Sequence, residues 1–197
     1  EGAIKSGKLK DLCLDDRMPA VAVTDTNNLF GALEASETLS AAGVQPIPGL
    51  QLSVEISVLG AVEARAARAP SIVLLAQSEA GFRRLMRFSS RAFLNSASED
   101  GPCARLDWLD GESDGLICLS GGFDGPLDRL WRADRGDDAR ALGERLAALS
   151  PAGSMLNCSA IRRDANTLAK ARCLILHMIS DCRSSRPMSH FFRRRRT

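Results

Sequence analysis

"PAVAVTDTNNLFGALEAS" (residues 19–36) decides the fold. Its first part, "AVAVTD" (20–25), is a short β-rich apolar run of the kind buried on both faces of a parallel sheet. The residues that follow, "NLFGALEASETLSAAG" (28–43), repeat apolar positions with a period near 3.6 and stop at Gly43, which predicts a helix. Strand then helix is one β/α unit. Asp25 closes the strand, where a carboxylate can hold a metal or reacting group or can cap the next helix. On residue type alone the cap is favoured.

The same order recurs along the chain. "IKSGKLKDLCLDDR" (4–17) places Ile4, Leu9, Leu12 and Cys13 near one helical face. "VQPIPGLQLSVEISV" (44–58) reads as strand material broken by Pro46, Pro48 and Gly49, with a half-buried strand after the break. "SIVLLAQ" (71–77) is another buried strand, and "SEAGFRRLMRFSSRAFL" (78–94) an amphipathic helix with Ser78 as its N-cap. "NSASEDGPCA" (95–104) reads as a surface loop. "DGLICLSGG" (114–122) is a third buried strand, followed by helical stretches at about 126–133 and 137–149. The expectation is an α/β fold with a largely parallel sheet.

In such folds function sits at the carboxyl ends of the strands, which selects Asp25, Gln51, Gln77 and Ser120. "LSGGFDG" lacks the spacing of a phosphate-binding loop and reads as a plain turn. Residues 1–150 contain no histidine, which excludes catalysis by a nucleophile with a histidine base. The six cysteines are scattered without a C-x-x-C pair, so neither a zinc site nor a disulfide framework is indicated. No apolar run approaches the roughly 20 residues of a membrane span, and "EGAIKSGKLK" lacks a signal-peptide core, so a soluble cytoplasmic protein is expected.

From "MPAVAVTDTNNLFGALEASE" (18–37) through "AAGVQPIPGLQLSV" (41–54), "SIVLLAQSEAGFRRLMRFSSRAFL" and "LDWLDGESDGLICLSGGFDGPLDRL", the sequence resembles the N-terminal PHP domain of bacterial DNA polymerase III alpha subunits. The resemblance covers residues 1 to about 150. It implies a PHP-type distorted β/α barrel, here incomplete, since the opening strand with its His-x-His pair is absent and "EGAIK" resembles the end of that segment. Active members bind several divalent ions for phosphoester hydrolysis, which requires histidine and carboxylate ligands at strand ends. Where they have Asp-His this chain has Asp25 and Thr26, and where they have Glu it has Gln51. The resemblance therefore implies a vestigial metal pocket at Asp25, Thr26 and Gln51, with no catalytic residue, no bound metal and Asp25 in a capping or polar-network role. It implies a non-catalytic scaffold. Mg²⁺, DNA and nucleotidyl transfer would belong to domains absent from this chain, and partners would be other replicative polymerase subunits and a proofreading exonuclease. The alternatives are a metal-dependent phosphoesterase and a standalone module that docks an exonuclease.

Charge divides the chain near Ser150. Residues 1–150 carry 16 basic and 22 acidic side chains, whereas residues 151–197 carry 10 and 2. The second part also holds Cys158, Cys173 and Cys182, both histidines (His177 and His190) and the closing "FFRRRRT". The genetic code offers an account. With synonymous codons, and the G that ends the Met178 codon, "ISDCRSSRPMSHFF" (179–192) rereads one base earlier as DLGLPLVATNEPFF. At the same offset "GSMLNCSAI" (153–161) rereads as RLYVELQRH. Both resemble the family's next segments, in order. The expectation is a single frameshift between about Leu149 and Gly153, with 151–197 an out-of-frame tail rather than a native domain. A nucleic-acid-binding role for the arginine run 193–196 is the lesser alternative.

Overall fold

The structure is a computed structural model and describes residues 4–55, 69–95, 101–122, 125–149 and 154–155. Along the chain lie α1 (Ser6–Asp15), β1 (Ala20–Thr26), α2 (Ala32–Ala41), β2 (Gln45–Glu55), β3 (Ser71–Ala76) and α3 (Glu79–Asn95). There follow β4 (Ala104–Arg105), a 3₁₀ turn (Leu106–Leu109), β5 (Leu116–Leu119), α4 (Pro126–Arg132), α5 (Gly136–Leu149) and β6 (Ser154–Met155). The strands form one six-stranded sheet in the order β1-β2-β3-β5-β6, with β4 paired to β2 off this path. β1, β2, β4, β5 and β6 run the same way; β3 is antiparallel to both its neighbours. The sheet is largely parallel, as expected, with one reversal.

That reversal moves one candidate. A strand that turns back beside its predecessor needs no crossover helix, so "SIVLLAQ" presents its carboxyl end at the opposite edge of the sheet from β1, β2 and β5. Gln77 accordingly donates its backbone N–H to Gly115 O, at the start of β5 (2.8 Å). It does not join the other strand ends.

β2 is continuous despite two prolines, where the sequence predicts a break. Gln45 N–H donates across to Pro19 O (2.9 Å), so alternate residues of β2 turn their amides away from β1. Pro46 and Pro48 occupy those turned-away positions, and β3 pairs with β2 only over Gly49–Ser53. No ladder donor is needed where the prolines sit.

The helices cover one face of the sheet. Leu50, Leu52 and Val54 of β2, Ile72 and Leu74 of β3 and Cys118 of β5 meet Leu85, Phe88 and Ala92 of α3 and Leu142 and Leu146 of α5 in one core cluster. A second cluster joins Cys13, Ala35, Leu39 and Val44, with Val21 and Val23 against it. Of the four residues expected near one helical face, Leu9 and Cys13 join this cluster, whereas Ile4, ahead of α1, and Leu12 are exposed. The other face of the sheet carries Thr24, Ile47, Gln51, Val73, Leu75 and Leu119, all half-buried, beside an exposed Ala22. A two-residue β4 and β6, and a β1 paired on one side among the described residues, leave this an incomplete distorted β/α barrel whose inner face is that half-buried one.

Several elements follow the sequence pattern closely. Gly81 N–H donates to Ser78 Oγ (3.2 Å), so Ser78 caps α3 as its position predicts. α2 begins at Ala32, four residues later than the periodicity suggests, because residues 27–31 form a turn of their own. The end of the expected loop 95–104 is a buried strand residue, since Ala104 pairs with Val54. The tail beyond residue 155, including His177, His190 and the arginine run, lies outside the described residues.

Candidate functional site

β1 and β2 end side by side, with Asp25 opposite Leu50 and Thr26 opposite Gln51 in register. Side chains alternate along a strand and register partners share a face. Thr26 and Gln51 therefore turn to the inner face, while Asp25 shares the helix-covered face with Leu50, a member of the core. The three residues of the expected pocket do not converge.

Each has its own local partner. Asp25 Oδ2 accepts the backbone N–H of Gly31 (2.8 Å), immediately before α2, so its charge answers an otherwise open amide at the helix entry. Gln51 Nε2 donates to Ser71 Oγ on β3 (3.0 Å). Thr26 O accepts Asn28 Nδ2 (2.8 Å), and Asn28 Oδ1 accepts Phe30 N–H (3.1 Å), a side-chain-closed turn.

Asn27 is the residue that sequence reasoning passed over. It is buried, stands at φ 59, and works as a hub. Its N–H donates to Gln51 O (2.8 Å), and its Oδ1 accepts Ser53 N–H (2.8 Å), taking the next place in the β1–β2 ladder after the strand itself has ended. Its Nδ2 donates to Ser53 Oγ and to Pro102 O (both 3.1 Å), and its own carbonyl accepts Ser89 Oγ from α3 (2.8 Å). The available signal was Asn after a strand, since Asn tolerates the left-handed conformation better than most residues.

Ser120 is buried at the end of β5 and leads into a close-packed turn. A Cβ on Gly121, which has φ 83, would lie 1.8 Å from Ser71 O, and one on Gly125 would lie 1.9 Å from Ser120 O. These glycines are required by the approach of backbone to backbone, which accounts for "SGG" as a turn.

On the inner face, the ends of β1 and β2 are neutral. Thr26 offers a hydroxyl and Gln51 an amide already engaged with Ser71, neither of which supplies the anionic charge a cluster of divalent ions needs. The residues present do not fit such a cluster. Among the described residues no group of three His, Cys, Asp or Glu side chains could hold a metal. Two thiols are unsuited to nucleophilic work: burial and then Glu55 push Cys103 up to about 11, and burial pushes Cys118 up to about 12. Among the described residues no helix is long and apolar enough to cross a membrane.

Residues 1–158 match the PHP domain family. The chain is 44% identical over 141 residues to the DNA polymerase III subunit alpha of Caulobacter vibrioides, an overlap of 72% of this chain and 12% of that protein. It is 31% identical over 129 residues to the subunit of the same name from Escherichia coli K12, across 66% of this chain and 11% of that protein. The chain thus spans only about 12% of the length of the curated relatives it matches. A solved amidohydrolase from Chromobacterium violaceum aligns weakly, with TM-score 0.33 and 18% identity over 48% of this chain and 31% of that one. By the extent of the family match, the chain, similar over 141 residues to an alpha subunit of DNA polymerase III, belongs to the PHP domain family.

Proposed function

We propose that this chain is the PHP portion of a DNA polymerase III alpha subunit and serves chromosomal replication as a non-catalytic, cytoplasmic scaffold. The observation that carries the reading is the 44% identity to a DNA polymerase III alpha subunit across 141 residues. Nucleotidyl transfer, with its Mg²⁺ and its hold on DNA, belongs in this reading to palm and further domains outside the chain. Other replicative subunits and a proofreading exonuclease are the partners it calls for. Purified chain should incorporate no labelled deoxynucleotide above a blank on a primed template. Incorporation above that blank would sink the scaffold reading, as would chelator-sensitive hydrolysis of a nitrophenyl phosphodiester with Mn²⁺.

We infer as well that residues after about 150 are read out of frame. Two ordered rereadings at one offset, and the change from 16 basic and 22 acidic residues to 10 and 2, support it. Resequencing the genomic DNA from upstream of Glu1 to well past Thr197 tests this: one inserted or deleted base near codon 151 is expected, and an unbroken frame into the tail would refute it.

A further inference from the structure

We propose that the carboxyl end of this sheet is a hydrogen-bonded clasp that closes without a cation, built by Asn27, Gln51, Ser53 and Ser71. The proposal rests on the scaffold reading and deepens it, since it says what holds the strand ends where the family implies metal. A metal cluster there would tie several strand ends together through shared charge. In this chain the ties are made one by one with neutral groups. Asn27 extends the β1–β2 ladder through its side chain and reaches Pro102 and Ser89, so a single residue fastens β1 to β2, to the segment before β4 and to α3. Gln51 continues the tie from β2 to β3 through Ser71.

Three observations set the arrangement against a cluster of divalent cations. Asp25, the one carboxylate of the expected pocket, lies on the opposite face and is occupied by Gly31 N–H. Gln51 brings a neutral amide tied to Ser71 through Nε2, and its oxygen supplies none of the negative charge that holds divalent ions together. Ser53 engages its N–H and its hydroxyl oxygen with Asn27, and that oxygen is neutral.

The test uses the full chain and Mn²⁺ alone, a hard cation that the cysteines outside this site bind poorly. After dialysis against Mn²⁺ and removal of excess, the chain should retain less than about 0.1 ion per molecule and melt at the same temperature with or without chelator. Asn27→Ala should lower Tm by about 4 °C or more, and Gln51→Leu and Ser71→Ala should each lower it by about 2 °C with the double variant falling short of their sum. Retention of about one Mn²⁺ or more that disappears in Gln51→Leu would overturn the proposal. So would an unchanged Tm in Asn27→Ala. Either result leaves the absence of nucleotide incorporation standing, whereas activity of the chain on a phosphodiester would fell the scaffold reading itself.

Discussion

Asn27 alone ties the end of β1 to β2, to the segment before β4 and to α3. Replacing it with Ala leaves Ser53 N–H without its acceptor in a buried place and retains a positive φ in a residue that resists it, at a cost of about 2–4 kcal/mol. Urea unfolding should read this as a lower midpoint with an unchanged slope. Asp128 predicts a change of the opposite sign. It is buried, among the described residues its Oδ2 meets no donor, and burial raises its pKa above the usual carboxylate range although Arg132 opposes the shift. A carboxyl that holds its proton more tightly folded than unfolded costs stability as pH rises from its ordinary value through its raised one. Unfolding measured from pH 3 to pH 8 should show that loss in the wild type, and Asp128→Asn should flatten it and be the more stable protein near pH 7. Neither residue was legible in the sequence. Asn27 lies in a short polar link between strand and helix and Asp128 in a helix of mixed charge, and the burial of both depends on what other segments place around them.

At the scale of elements, α3 docks through a glycine. A Cβ on Gly81 would fall 1.9 Å from Gly115 O, so the first turn of the helix rests directly on the backbone that leads into β5. Gly81→Ala should cost about 1–3 kcal/mol or more by pushing the two apart, and Phe88→Ala, from the centre of the same helix face, about 3–5 kcal/mol through the cavity it leaves. Thermal melts that show Gly81→Ala neutral would contradict this docking. Strand and helix identities were readable here because periods of 2 and 3.6 are local properties. The boundary of α2 and the continuity of β2 were not, since the first depends on a turn closed by Asn28 and Asp25 and the second on where β3 stops pairing. β6 covers only Ser154–Met155, beside Cys118 and Leu119. If the frame is restored as proposed, the reread LYVEL begins at the same position and should extend this strand, observable as added strand content by circular dichroism and a higher Tm.

For the whole molecule, the sheet's β1 side decides behaviour in solution. Among the described residues β1 pairs with β2 alone, and "AVAVTDT" has neither lysine nor proline to discourage another strand. Ala22 is exposed at mid-strand. The chain should therefore self-associate with rising concentration, and Ala22→Lys should reduce that association in light scattering while leaving the melting temperature nearly unchanged. Equal scattering from both proteins would show that the edge is not the route.

By itself the sequence determined the order of the longer strands and helices, the cap at Ser78 and the turn glycines, and, through its likeness to a known domain, the family. Those rest on neighbours a few residues apart, where periodicity and backbone preference act. Only the tertiary structure decided that β3 runs backwards and takes Gln77 away from the other strand ends, that Asp25 faces the helices while Thr26 and Gln51 face inward, and that Asn27 is the tie between them. Those depend on strand register and on hydrogen bonds spanning 20 to 75 residues of chain, such as Gln51 to Ser71 and Asn27 to Pro102, which no local pattern encodes.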